Sequence, residues 1–579
     1  MYEKRIQRLA LAFGCLGLLL FVGVCYRMVV QREHLAATPF IQQSELERIH
    51  TLARENIITR DKQGRVRVDY QALRDRHGAR FTDFVKKREK FLSFNAKGEL
   101  EIQRDAVKVT NRRTIRASTL AGRGRILDRR GRVLAESRQG KNGKWQRVYP
   151  YGAAALPVVG AVHRLYGERG LEHELSGWLT GKEQTSGTAG LYRLFSGRKK
   201  QGEARLTIDA EVQKAAYKAL GKQTGAIVVV DVRTGAIIAA ASTPSLDPNR
   251  ATDADWQRAA ELKYRAPFIN RGLQRRYPPG STFKIVTATA VIDKKGFRRS
   301  SGLTCRGIHP KYGIRDYHNK RHGWVGLDNA FKLSCNVYFG EAAVRLGPEL
   351  LQKAELFGFN HAWNLIGRKG AAPTARSLAF AGYKKVRSGG RWQAADFRHN
   401  PKLVARGGIG QTVVSATPLQ MALAGAAIAN RGVLMEPFIV DRVTFAADKG
   451  GSEGIIDWWH NSPKQFAQVC RKKSAREILK MMQLVMHKGT GFALPKLNRV
   501  KGGYKLFAVA RKGQKNLLAG KTGTAETGRG DHSWFVAVAP VDHPRYAVAA
   551  IVEYGGLGAK AAGKAAVRTM LAALNADGG

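Results

Sequence analysis

Two pairs of short apolar runs, one near residue 230 and one near residue 545, constrain the fold of this chain more than any other feature. Runs 226–230 and 236–241 flank the turn-forming segment 231–235, and runs 534–539 and 546–552 flank 540–544, so each pair reads as a β-hairpin. The sequence between them is mainly helical in texture, with apolar periodicity around 285–293, 326–345, 418–430 and 475–487. Hairpins at both ends of a helical middle imply one antiparallel sheet assembled from the two ends of a domain, with helices packed on it: an α+β architecture. The domain starts near residue 205, because Asp209 can cap a helix whose apolar face carries Val212, Ala215, Ala216 and Leu220. At 579 residues the chain is too long for one ordinary core, so 206–579 is one domain of several.

The run 9–26 carries no charge and, at about 18 residues, just spans a bilayer as a helix. Lys4, Arg5 and Arg8 precede it, which keeps 1–8 in the cytoplasm and sends the rest across. The expectation is a single-pass signal anchor over 9–30 in the cytoplasmic (inner) membrane, with the remainder extracytoplasmic. A cleaved signal peptide competes with it, but the run is long for one and no small-x-small site closely follows Tyr26. Residues 31–205 are polar and basic, hold no nucleophile beside a base, and are assigned a positioning or partner-docking role. The net charge of +53, from 98 basic against 45 acidic residues, would suit nucleic acid, anionic lipid or anionic wall polymers. Topology removes nucleic acid, and the even spread of charge favours a basic solvated surface over a dedicated polyanion site. Of the five cysteines, Cys15 and Cys25 lie in the apolar run as small hydrophobes, so this is not a disulfide scaffold.

The chemistry lies in three separated motifs. Pro278-Pro279-Gly280-Ser281-Thr282-Phe283-Lys284 precedes an apolar stretch, which puts Ser281 at a helix N-terminus, where unpaired N–H groups and the dipole favour developing negative charge. Lys284 follows one turn later on the same face, and a neutral amine beside a hydroxyl makes a base and nucleophile pair. Alone, the pattern is common by chance and reads far more often as an N-cap serine and a surface lysine. Ser334-Cys335-Asn336 and Lys521-Thr522-Gly523-Thr524 follow in order, completing the S-x-x-K, S-x-N and K-T-G set of penicillin-binding proteins and serine β-lactamases. Ser334 can relay a proton toward a leaving amine, Asn336 can hold Lys284 and a substrate amide, and Lys521 favours a neutral Lys284 and attracts a carboxylate. Gly523 permits close approach of a substrate strand. Thr522 and Thr524 can donate to a terminal carboxylate, and the N–H groups of Ser281 and Thr524 are candidates for an oxyanion hole.

With these motifs the sequence resembles a class B penicillin-binding protein. The resemblance extends to G-R-G-R-I-L-D-R-R-G-R-V-L-A at 122–135, Gly170-Leu171-Glu172, Leu206-Thr207-Ile208-Asp209, P-S-L-D-P-N at 244–249, Asn270-Arg271, G-I-G-Q at 408–411 and T-P-L-Q-M-A at 417–422. It implies a penicilloyl-serine transferase fold at 206–579 on an elongated N-terminal pedestal domain. The span between anchor and catalytic domain leaves no room for the glycosyltransferase domain of class A. The implied activity is peptidoglycan D,D-transpeptidation: Ser281 takes the acyl group of a stem peptide ending in D-Ala-D-Ala and passes it to a neighbouring amine, without a cofactor. β-Lactams would acylate the same serine. The implied partner is a multipass glycosyltransferase of the shape, elongation, division and sporulation family.

Cys305, Asp316, His322 and Cys335 fall in the stretch leading into Ser334 and form a plausible closed tetrahedral zinc shell; free thiols and a Cys305–Cys335 disulfide are the alternatives. This stretch resembles the elongation-type branch, penicillin-binding protein 2, whose members can carry zinc there. The resemblance therefore favours a role in cell elongation and shape over septal division. Within the same chemistry a D,D-carboxypeptidase or β-lactamase, which lets water attack the ester, is the alternative enzyme. A non-catalytic sensor or wall-binding scaffold is the alternative outside enzymes.

Overall fold

The computed structural model describes residues 120–182 except 164, and 201–577 apart from 263–266, 295–301, 368–370, 372, 381–384, 389–390, 395–399, 450–451, 492–493 and 495–517, together with short stretches between 52 and 102. The apolar run 9–26 lies outside the described residues, and among those described no helix is long and apolar enough to cross a membrane. Contacts divide the chain into two compact units, 1–115 with 164–167, and 116–163 with 168–579. The first holds two small antiparallel pairs, Ile58–Arg60 with Val66–Val68 and Leu92–Phe94 with Leu100–Ile102. Its helix Tyr70–His77 is preceded by Asp69, whose carboxylate accepts from the Ala72 N–H at 2.9 Å.

The second unit is built on the sheet that the two hairpins foretold. Five strands lie in the order Ile237–Thr243, Gly225–Asp231, Tyr546–Val552, His532–Ala539, Ala519–Ala525, every neighbouring pair antiparallel. The join between the chain's two halves is Gly225–Asp231 against Tyr546–Val552. The four hairpin strands are buried at every residue. That is why their sequences read as unbroken apolar runs and not as the alternation of a one-sided sheet. Helices Ala210–Leu220 and Ala562–Ala576 pack together on one face, and Pro418–Ala429 and Lys472–Lys488 cover the other. Asp209 caps the first, accepting from the N–H groups of Glu211 and Val212, an arrangement worth about 1 kcal/mol. Pro418–Ala429 is buried at all of its residues, so it is apolar all round rather than amphipathic. Thr417 caps it through the Gln420 N–H at 3.1 Å.

A second sheet has six strands in the order Ser452–His460, Val440–Lys449, Gly202–Leu206, Ile126–Leu127, Val133–Gln139, Trp145–Val148. The boundary expected near residue 205 thus falls inside a strand, which pairs with Ile126–Leu127 on one side and Val440–Lys449 on the other. Around this sheet the family-like blocks of the sequence meet as ion pairs on buried carboxylates. Glu172, fully buried, receives Arg123 Nε at 2.7 Å and Arg147 Nε at 2.6 Å. Asp128 and Asp209 share Arg132, each at 2.7 Å, and Arg130 reaches Asp209 at 2.8 Å.

Candidate active site

Ser281 sits in a single 3-10 turn, Gly280–Phe283, which runs directly into the helix Lys284–Asp293. The expected helix start is therefore present one turn later than the serine. Three contacts fix the turn: Gly280 N–H donates to Gly410 O at 2.9 Å, Thr282 Oγ1 donates to Pro279 O at 2.7 Å, and Thr287 Oγ1 donates to Gly408 O at 2.8 Å. Gly280 has φ +52°, and a Cβ there would lie 2.5 Å from Thr524 O. On the facing strand a Cβ at Gly523 would lie 2.8 Å from Thr282 Cγ2 and 3.1 Å from Pro279 O. Glycine at 523 is thus required by the nucleophile turn itself, a closer constraint than the approach of substrate expected from sequence. Backbone-to-backbone packing places Ser281 and Thr524, the expected oxyanion donors, on adjoining segments. Ala519–Ala525 ends the sheet, so among the described residues no strand pairs with its outer edge.

Ser334 has φ 60° and ψ 37°. This left-handed residue breaks the single helix expected over 326–345 into Leu327–Leu333 and Asn336–Leu346. A non-glycine residue is held there at a cost of order 1 kcal/mol. The break turns the Ser334 hydroxyl and carbonyl toward two lysines. Lys284 Nζ donates to Ser334 O at 2.6 Å and to Asn336 Oδ1 at 2.6 Å, and lies 3.3 Å from Ser334 Oγ. Lys521 Nζ lies 2.9 Å from the same hydroxyl. Both amines are fully buried, over the rings of Phe339 and Phe331 respectively. Burial pulls Lys284 down to about 8, against the attraction of Asp316 and Cys335. Burial, reinforced by the charge of Lys284, pulls Lys521 well below the ordinary lysine range. Two ammonium groups sharing one hydroxyl in a dry site repel, so the pair holds fewer than two protons at neutral pH. Ser281, half-buried, makes no side-chain hydrogen bond among the described residues. Lys284 thus stands one turn from it, engaged with Ser334 and Asn336, and contacts of this kind tighten when substrate arrives.

The four candidate metal ligands converge. One ligand atom from each of Cys305, Asp316, His322 and Cys335 lies within 4.8 Å of all the others. Asp316 Oδ2 is the centre, 2.9 Å from Cys305 Sγ, 3.3 Å from Cys335 Sγ and 3.5 Å from His322 Nδ1. Asp316 Oδ1 accepts from the Asn336 N–H at 2.5 Å, and Asn336 Nδ2 donates to Arg315 O at 2.8 Å. The cluster therefore grips the residue that holds Lys284. Both thiols are free, not joined as a disulfide. Burial, and then the Asp316 carboxylate, push them up.

One neighbour escaped the reading of the sequence: Thr490 Oγ1 lies 2.5 Å from Thr522 Oγ1. Its only local signal is the pair of flanking glycines, Gly489 and Gly491.

A serine on a tight turn, a buried low-pKa lysine one turn on and a second lysine joined to it through a serine hydroxyl define an active-serine acyltransferase. Residues 225–574 match the family model described as the penicillin binding protein transpeptidase domain, and 123–204 match the penicillin binding protein A dimerisation domain. The chain belongs to the penicillin-binding protein transpeptidase family. It is 30% identical over 439 residues to the peptidoglycan D,D-transpeptidase PbpA of Mycolicibacterium smegmatis, covering 71% of this chain and 80% of the relative. Against the peptidoglycan D,D-transpeptidase MrdA of Escherichia coli K12 it is 26% identical, covering 71% and 69%. The solved ceftriaxone acyl-enzyme of penicillin-binding protein A from M. tuberculosis superposes with a TM-score of 0.64 at 26% identity, covering 79% of this chain and all of that one.

Proposed function

We propose that this protein is a peptidoglycan D,D-transpeptidase working through an ester on Ser281, and that β-lactams acylate the same oxygen. The observation that carries the reading is the Lys284–Ser334–Lys521 relay, whose first lysine opens the helix that directly follows the Ser281 turn. Neutral Lys284 takes the Ser281 proton as Oγ attacks the carbonyl of the penultimate D-Ala. The N–H groups of Ser281 and Thr524 are the donors available for the oxyanion. As the C–N bond breaks, the proton passes from Lys284 through Ser334 to the departing D-Ala amine. An acceptor amine then attacks the ester, gives its proton to Lys284, and the Ser281 oxygen leaves with a proton. Lys521, Thr522 and Thr524 receive the terminal carboxylate. Asn336 orients Lys284 and a substrate amide.

No cofactor enters these steps. The set of two thiols, an imidazole and a carboxylate fits zinc, and we read Cys305, Asp316, His322 and Cys335 as a structural zinc site. Bound there, the metal would replace the thiol protons and fix the segment bearing Ser334 and Asn336. Four protein donors close the shell and leave no place for a reacting water.

The anchor at 9–30, an inner-membrane location with an extracytoplasmic catalytic domain, and a multipass glycosyltransferase partner are parts of the same reading, supported by the charge pattern at the N-terminus and the family resemblance. A role in elongation is supported by the likeness of the four-residue cluster to that branch. Incubating purified protein with donor and acceptor stem peptides tests the activity. A cross-linked dimer with release of one D-Ala per link supports transpeptidation, whereas D-Ala release with only shortened monomers makes the protein a hydrolase. Imaging a tagged protein tests the role, with dispersed wall patches expected and confinement to mid-cell rings opposing it.

A further inference from the structure

We infer that Thr490 is a positioning residue for recognition of the substrate's terminal carboxylate, acting through Thr522. The inference rests on the reading above that Thr522 donates to that carboxylate. A threonine hydroxyl has one proton and a carboxylate can only accept. If Thr522 gave its proton to Thr490, it would meet the carboxylate with a lone pair. With Thr490 Oγ1 at 2.5 Å, the productive arrangement is a chain in one direction: Thr490 donates to Thr522 Oγ1, and Thr522 donates to substrate. Such a chain fixes the Thr522 rotor and polarises its O–H toward the anion.

The backbone around Thr490 is built to hold this register. Gly489 and Gly491 donate to Val485 O at 3.2 and 3.1 Å, closing the end of the helix Lys472–Lys488. A Cβ at Gly489 would lie 2.6 Å from Lys332 O, on the helix that ends at Ser334, and one at Gly491 would lie 2.7 Å from Met486 Sδ. Met486 Sδ would in turn meet a Cβ at Gly520, one residue before Lys521, at 3.0 Å. The turn is therefore pressed between the helix that delivers Ser334 and the strand that delivers Lys521 and Thr522. Yet Thr490 itself is exposed while Thr522 is buried. A threonine serving only to fill the core would not be solvent-facing.

The test compares kcat/KM for a stem-peptide analogue with a free C-terminal carboxylate and for its carboxamide, in wild type, Thr490→Val, Thr490→Ser, Thr522→Ala and the double variant Thr490→Val with Thr522→Ala. The expected result for Thr490→Val is a loss of about tenfold on the carboxylate substrate, carried mainly by KM and matching one charge-assisted hydrogen bond, with little change on the carboxamide. Thr490→Ser restores most of the rate, and the double variant is no worse than Thr522→Ala alone. Equal losses on both substrates, failure of Ser to outperform Val, or additive losses in the double variant would overturn the inference. If Thr522→Ala discriminates between the substrates and Thr490→Val does not, only the inference falls. If Thr522→Ala spares the preference for carboxylate, the reading beneath it falls as well.

Discussion

Acylation of Ser281 should accelerate steeply between pH 6 and pH 8, because the proposed base, Lys284, is a buried amine. Lys284 is pulled to about 8 by burial. Only the neutral amine can accept the Ser281 proton, so about 1% of the protein is competent at pH 6 and about half at pH 8, a rate ratio of about 50. The logarithm of the rate should rise with a slope near one and flatten above about pH 8. The same displacement sets a stability trend. An unfolded lysine holds its proton to about 10.5, so below about pH 8 the folded state carries a protonated, buried Lys284 at a cost of about 3 kcal/mol. The unfolded chain binds more protons between about 8 and 10.5, so this group's penalty is relieved as pH rises through that window. The assay is the pseudo-first-order rate of labelling by a fluorescent penicillin with no ionising group in the range, read at half-unit pH steps. Lys284→Arg provides the control, since a guanidinium stays charged and should not support labelling. A rate that is flat or falling from pH 6 to pH 8 would refute the assignment of Lys284 as base.

Cys335→Ser should lower bound zinc, acylation rate and thermal stability together, since the cluster holds Asn336 through Asp316; equal metal content in variant and wild type by elemental analysis rejects the zinc reading. Glu172→Gln leaves Arg147 buried without a carboxylate and Arg123 with Glu168 alone, a loss of about 3–5 kcal/mol that should lower the melting temperature by on the order of 10 °C; a shift within the error of scanning calorimetry would contradict it. Gly523→Ala sets a methyl 2.8 Å from Thr282 Cγ2 and should slow labelling of Ser281 by at least about tenfold through displacement of the turn; an unchanged rate would show that strand and turn separate freely.

The parts of this fold that were legible in the sequence are those with local signals. The two hairpins announced themselves because strands buried on both faces are apolar throughout, and the Asp209 cap and the periodic helices could be read within a few residues of their ends. The meeting of Lys284, Ser334, Asn336 and Lys521 was legible because S-x-x-K, S-x-N and K-T-G each pair residue types with a chemical reason to stand together. Long-range pairing was not legible. Nothing near Gly202–Leu206 indicates that its neighbours are Ile126–Leu127 and Val440–Lys449, because strand pairing depends on distant partners and has no short-range code. The break at Ser334 was hidden for a different reason: the apolar periodicity of 326–345 continues across it, and the left-handed residue is held by its contacts with Lys284 and Lys521, not by a glycine that sequence would reveal. Thr490 was missed because its partner is Thr522, reached only by folding. The convergence of Cys305, Asp316, His322 and Cys335 was expected from their residue types and the likeness of their stretch to the elongation-type branch, whereas their grip on Asn336 has no signal in the sequence.

The proposed chemistry requires that one oxygen, Ser281 Oγ, carry the acyl group. Intact-protein mass spectrometry after exposure to penicillin, followed by peptide mapping, measures it directly. A single adduct of one penicilloyl mass is expected on Ser281, and none on a folded Ser281→Ala variant. An adduct that persists in that variant, or that maps to another residue, would contradict it.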